Sequence, residues 1–138
     1  MQHCRRLLNP IVKKLIFELE QFPISGLQDY TLYTKNIHLI DMQTKLHATG
    51  VWQYQCVAKS TLMILKWRFT DIKMTVLRAD MENETDLKLR LLMEALDDGE
   101  VLEEEFLFLY KYNKEHKIEK HVIQDRVPIK KPALLCLK

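Results

Sequence analysis

Hydrophobic and polar residues alternate with a two-residue period through much of the second half of the chain. Leu87, Leu89, Leu91 and Met93 fall on one side of such a segment, with Lys88 and Arg90 on the other. Phe106, Phe108, Tyr110 and Tyr112 repeat the pattern after an acidic stretch. Asn113-Lys114-Glu115-His116 then supplies a polar reversal before Lys117-Ile118. Side chains alternate across a strand, so this spacing predicts an antiparallel sheet with one face covered. Strands are expected at Asp71 to Ala79, Leu87 to Ala95, Glu105 to Tyr112 and Lys117 to Val127. Asp80 to Asp86 is a polar connection between the first two, and Asp97-Asp98-Gly99-Glu100 is a turn.

The first half has a different period. Leu7, Leu8, Ile11, Val12, Leu15, Ile16 and Leu19 recur at helical spacing, which predicts a helix from Arg5 to Gln21. Pro10 belongs in its first turns or marks its start, and Phe22-Pro23 ends it, because the residue before a proline avoids the helical region. Ile24 to Gln28 is a loop, Asp29-Tyr30 opens a short helical turn, and Asn36 to Ile40 reads as a first strand. Thr44 to Thr49 is a polar connection. A second helix from Gly50 to Lys66 gathers Val51, Tyr54, Ala58, Thr61, Leu62 and Leu65 on one face, and Trp52, Val57 and Ile64 broaden it. So wide a face suits a helix held inside a curved sheet. Helix, strand, helix and then four strands is an α+β order.

A chain of 138 residues fits one domain, read as residues 1–128 with a short tail at 129–138, and can bury a core without staples. Cys4, Cys56 and Cys136 are far apart with no C-x-x-C, which argues against a zinc ribbon or a disulfide framework and for a reduced compartment. Charge is uneven. Residues 1–17 carry Arg5, Arg6, Lys13 and Lys14 without an acid, residues 79–110 are strongly acidic, and the chain is basic again from Lys111. Such blocks steer a partner or a second copy, or simply solvate an edge and a loop. The basic start reads either as an organellar presequence or as the first core helix. No run approaches the roughly 20 apolar residues that a spanning helix needs.

Asp29-Tyr30-Thr31-Leu32-Tyr33, the strand Ile37–Ile40, Gly50-Val51-Trp52-Gln53-Tyr54 and Phe108-x-Tyr110 followed by Lys117-Ile118 and His121 carry a likeness. They resemble an uncharacterised family with the nuclear-transport-factor-2-like fold (domain of unknown function 2358). The resemblance covers Leu7 to Pro128. It implies a cystatin-like cone, a bent antiparallel sheet wrapped around N-terminal helices with one open mouth. It implies no established activity, and a mitochondrial location. The acidic connection Glu94 to Glu104 is shorter than the apolar insertion of family members.

Enzymes of this cone fold place a carboxylate and a histidine or tyrosine inside the mouth, as general base and as orienting group. Asp41 ends the first strand here, and His121 and Asp125 share parity on the last, so these three are the candidate catalytic residues. No motif sets their separation, and a strand-end aspartate is commonly a turn residue. Tyr30, Tyr33, Trp52, Tyr54 and Trp67 are candidates to line an apolar ligand pocket, against the preferred reading that they fill the core. Metal ligation lacks suitable spacing, no cofactor loop exists, and nucleic-acid binding is disfavoured by the acidic belt. The leading expectation is a non-catalytic interaction or scaffold domain, dimerising or docking on a protein partner through an outer sheet face formed by Leu107, Leu109 and Ile123. The competing expectation is a small apolar ligand binder or a lyase or isomerase of the cone type. An accessory subunit of an organellar complex is the third.

Overall fold

The computed structural model describes residues 10–129. A helix α1 (Pro10–Ser25) leads through one turn of 3-10 helix at Tyr30–Leu32 into strand β1 (Tyr33–Asp41). A short strand β2 (His47–Thr49) and helix α2 (Val51–Arg68) follow, and then β3 (Asp71–Met81), β4 (Asp86–Asp97), β5 (Glu100–Tyr112) and β6 (Ile118–Ile129). The six strands form one sheet in the order β2-β1-β6-β5-β4-β3. All neighbours are antiparallel except β1 and β6, which run parallel. The curved sheet carries both helices on its inner side, which is the expected α+β cone.

Two-residue alternation becomes an inner and an outer face. Leu87, Leu89, Leu91, Met93 and Ala95 of β4 are buried, as are Phe108, Tyr110 and Tyr112 of β5. They meet across the ladder as Leu91 with Phe106, Leu89 with Phe108 and Leu87 with Tyr110. Each such side chain contributes about 1.5–3 kcal/mol by leaving water. From the helical side, Val12, Leu15 and Leu19 of α1 close the core. Two carboxylates fasten α1. Glu18, itself buried, accepts the backbone N–H groups of Gln28 and Asp29, at 2.8 and 2.9 Å. Glu20 accepts that of Val76, where β3 bulges before Arg78.

Several boundaries differ from expectation. Helix α1 passes through Pro23 instead of ending before it, because in the last turn a proline forfeits one hydrogen bond and its ring is buried. Gly26 stops the helix. Its φ of 75° lets its N–H reach the Phe22 carbonyl at 2.9 Å, a left-handed cap. A Cβ there would lie 3.2 Å from Leu62 Cδ2. Gly26→Ala is therefore expected to cost about 1–2 kcal/mol, read as a lower urea midpoint at unchanged slope. The start expected at Arg5 lies outside the described residues. Strand β1 begins at Tyr33, β2 replaces part of a polar connection, and the acidic run from Glu100 is already strand. The expected turn is present: Asp98 and Gly99 both have positive φ between the paired Asp97 and Glu100, which suits a two-residue hairpin.

Helix α2 lies on the inner side, yet Tyr54 is its single buried residue. Trp52, Met63, Ile64 and Trp67 are exposed. At 100° per residue, Trp52, Met63 and Trp67 fall on the side opposite Tyr54. The broad apolar face expected of this helix is thus two faces, one of them turned outward.

Candidate functional site

Between the helices and the inner sheet face lies a cavity of about 230 Å³. Helix α2 contributes Tyr54, Val57, Ala58, Thr61 and Leu65, and α1 contributes Leu19 and Phe22. The sheet supplies an apolar wall and four groups able to ionise or to exchange protons: Asp41, Glu104, His121 and Arg126. A larger groove of about 520 Å³ runs past Lys35, Lys111 and Lys120, but it is a solvent-facing surface feature lined by polar side chains. The smaller cavity is the candidate site because it joins an apolar body to buried polar atoms.

Asp41 closes β1 and is almost fully buried. Its Oδ2 faces Arg126 Nη2 at 2.5 Å, and its Oδ1 accepts the backbone N–H groups of Gln43 and Thr44 in the turn that follows. Burial alone would push this carboxyl upward. The two turn N–H groups and the guanidinium outweigh it and hold the value below the ordinary one. Both carboxylate oxygens are occupied. Arg126 comes from β6, where its guanidinium carbon lies 5.6 Å from the Phe106 ring centre, a cation–π distance.

His121 sits in an aromatic cage. Its ring stacks on Tyr110 at 4.3 Å and meets Phe108 edge-on at 4.6 Å. Nδ1 is 2.8 Å from the Tyr54 hydroxyl, and Nε2 is buried without a partner. Burial depresses the imidazole to about 3, which the Asp41 charge opposes only in part. Burial raises Tyr54 well above the ordinary phenol value, so the hydroxyl keeps its proton.

Of the three candidate catalytic residues, Asp41 and His121 line the same cavity and Asp125 does not. Asp125 is exposed, and the reason is a β-bulge. Phe108 pairs with Ile123, but Leu107 pairs with Asp125, so Gln124 is an extra residue in β6. Beyond it the parity inverts. Asp125 turns outward and Arg126 turns into the cavity, as bulges beside functional sites commonly re-aim side chains. Ile123, expected on the outer face, precedes the bulge and lines the cavity instead.

Among the aromatic candidates only Tyr54 lines the cavity. Tyr33 is core, its ring 4.8 Å from that of Tyr54, and Tyr30 lies outside Tyr33 at 6.1 Å. Trp52 and Trp67 are 72% and 87% exposed, which removes them from any internal pocket. Arg126 and Glu104 are the lining residues that sequence reasoning missed. No local signal marks Arg126, which stands 85 residues from Asp41 in the chain. Among the described residues no cluster suits a metal ion, and no helix is long and apolar enough to cross a membrane.

No family model matches the chain, and no curated protein matches it. Solved structures do. A nuclear-transport-factor-2-like protein of unknown function from Exiguobacterium is 14% identical and covers 88% of this chain and 99% of its own, with a TM-score of 0.59. A hypothetical protein from Catenulispora acidiphila, with a ketosteroid isomerase-like fold and in complex with trimethylamine, is 13% identical, covers 82% of each chain and has a TM-score of 0.58. The epoxide hydrolase/cyclase-like enzyme SalBIII, of pyran ring formation in the polyether salinomycin, is 12% identical and covers 93% of this chain and 97% of its own, at 0.63. At such identities the likeness establishes the fold, a nuclear-transport-factor-2-like cone.

Proposed function

We propose that this protein binds a small, mainly apolar molecule inside the cone. The observation that supports this is the coexistence of an apolar cavity and buried, partly unserved polar groups at His121 and Arg126. The cavity falls below the roughly 300–1,000 Å³ of drug-sized sites, while apolar cavities of about 150 Å³ already accept a benzene ring. A ligand of one ring with a short substituent fits those bounds. The neighbours described as isomerase-like and cyclase-like share the fold, and their activities are compatible with an occupied cone. Proton abstraction is the weaker reading, because Asp41 has both oxygens engaged and a lowered pKa. The test is a screen of monocyclic compounds by protein NMR. Binding should raise stability by about 2.7 kcal/mol at a hundredfold excess over Kd, and Ala58→Phe, which fills the cavity from α2, should abolish binding while the protein stays folded. Equal binding by Ala58→Phe would overturn the reading.

Docking through the outer sheet face is a second reading, favoured by half-exposed Leu92, Leu107, Leu109 and Val122 on adjacent strands β4, β5 and β6. Light scattering over a dilution series tests it, and a strict monomer counts against it. Within the fold, kinship with the family of domain of unknown function 2358 rests on the Asp29–Tyr33 and Gly50–Tyr54 segments.

A further inference from the structure

The outward face of α2 carries Trp67, Trp52 and Met63, the most exposed large apolar side chains among the described residues. At helical spacing the three fall within about 60° of one another, on the side opposite the cavity-lining Tyr54, Thr61 and Leu65. The two indoles stand about 22 Å apart along the helix axis. Helix α1 widens this strip. Phe17 and Ile24 lie on its side away from Val12, Leu15 and Leu19, and both are exposed. Lys66 joins the helices there, its Nζ donating to the Ile24 carbonyl at 3.2 Å. So much apolar surface gathered in water marks a docking surface.

Charge decides what docks. Helix α2 holds Lys59, Lys66 and Arg68 and no acid. Lys59 and Lys66 lie within about 60° of Trp52 and Met63 on the helix surface. Neither forms an ion pair among the described residues, and nor does Lys13, one turn from Phe17 on α1. The carboxylates of α1 are turned elsewhere, Glu18 and Glu20 accepting the backbone N–H groups of Gln28, Asp29 and Val76. Asp29 and Asp97 meet the helices already paired, with Lys14 and Arg68. Asp71, the first acid after α2, belongs to β3. The helical face is therefore apolar and cationic. A second copy docking α2 on α2 about a twofold axis would set these lysines against themselves, which repels. A protein groove would have to match two distant indoles on a convex helix. A bilayer needs no such match: indoles settle among the headgroups, methionine and isoleucine reach the acyl boundary, and lysines extend to anionic phosphates.

We infer that the outward face of α2, with Phe17 and Ile24 of α1, docks on an anionic phospholipid bilayer, the helix lying in the plane of the interface. Trp52 and Trp67 are the only tryptophans of the chain, so indole emission reads this surface directly. The full chain is mixed with vesicles of phosphatidylcholine alone and of equal parts phosphatidylcholine and phosphatidylglycerol. On the anionic vesicles the emission should shift to the blue, and lipids brominated near the headgroup should quench it. Affinity for them should exceed that for the neutral vesicles about tenfold or more, since each lysine at the surface adds severalfold. High salt should weaken that preference. Trp52→Ser with Trp67→Ser alters two exposed side chains, so the urea midpoint should hold while co-sedimentation with anionic vesicles falls about tenfold or more. Lys59→Glu with Lys66→Glu should remove the preference and leave the emission of the lipid-free protein unchanged. Equal affinity for the two vesicles overturns the inference, as does undiminished binding by the serine variant. Co-sedimentation without a change in emission means that another part of the chain holds the vesicle, and overturns it. Emission that is already blue without lipid and moves on dilution means that a second copy covers the face, and overturns it too.

Discussion

Asp41→Ala is expected to destabilise the fold by about 3–5 kcal/mol in urea unfolding at pH 7, the range found when one partner of a buried ion pair is removed. Asp41 is 2% exposed in its side chain and Arg126 is 33% exposed, so solvent screens the pair from one side only. Truncation leaves a guanidinium whose Nε–H already lacks a partner facing an apolar wall. It also strips the acceptor from Gln43 and Thr44, but both are exposed and water can replace it. The loss should therefore come from the stranded charge. Two variants separate these contributions. Asp41→Asn keeps an oxygen for the turn and removes the charge, so its cost should approach that of the alanine variant. Replacing both partners by apolar residues, Asp41→Val with Arg126→Met, should recover a large part of the loss. A cost below about 1 kcal/mol for Asp41→Ala would mean that the pair behaves as a surface bridge.

The sheet was legible because its period is two and one side is buried along β4 and the second half of β5. Leu87 through Ala95 and Phe106 through Tyr112 alternate so regularly that no other element accommodates them, and a curved sheet with half its surface apolar needs helices inside it. The site was legible only as far as local rules reach. Asp41 keeps the alternation of Ile37 and Leu39 in β1 and lines the cavity. His121 lines it too, but only after a first register shift in β6, where Tyr112 pairs with Ile118 and Lys111 with Lys120. Past Gln124 the alternation fails a second time. Nothing in Val122-Ile123-Gln124-Asp125-Arg126 marks an extra residue, since a bulge is set by the partner strand and the curvature of the sheet. One uncounted residue exchanged an expected aspartate for an arginine, and so a pair of carboxylates for an ion pair. The tryptophans failed for a different reason. Helix α2 is apolar around most of its circumference, so its periodicity cannot say which side faces in, and bulk is a poor guide when Tyr54 rather than Trp52 occupies the inner position. Strand β2, with only Ala48 buried among its three residues, is too short for any period.

Stability should also fall as the solution is acidified through a range where few groups ordinarily matter, and His121 should be the cause. Desolvation holds the folded imidazole near 3, against 6.5 in the unfolded chain. The groups facing it are the Tyr54 hydroxyl from α2, the Phe108 and Tyr110 rings from β5, and Asp41 from β1, whose charge lowers the penalty without cancelling it. A folded value below the unfolded one means that, between the two, the unfolded chain binds a proton that the folded chain refuses. The neutral imidazole's contribution is thus fully present above about pH 6.5, declines as pH falls below it, and stops declining near 3. The slope is about 1.4 kcal/mol per pH unit, or roughly 2 kcal/mol between pH 7 and 5. Asp29 and Asp41, whose values are lowered, lose their contributions only below the ordinary carboxylate value, so they leave this window clear. Urea unfolding at pH 7, 6 and 5 should show the decline, and His121→Phe should flatten it, since a phenyl ring fills the same cage and binds no proton. The ring of His121 followed directly by NMR should stay neutral down to at least pH 5. A resonance that titrates near pH 6, or an unchanged slope in the phenylalanine variant, would place the proton elsewhere and leave the cage around His121 open to water.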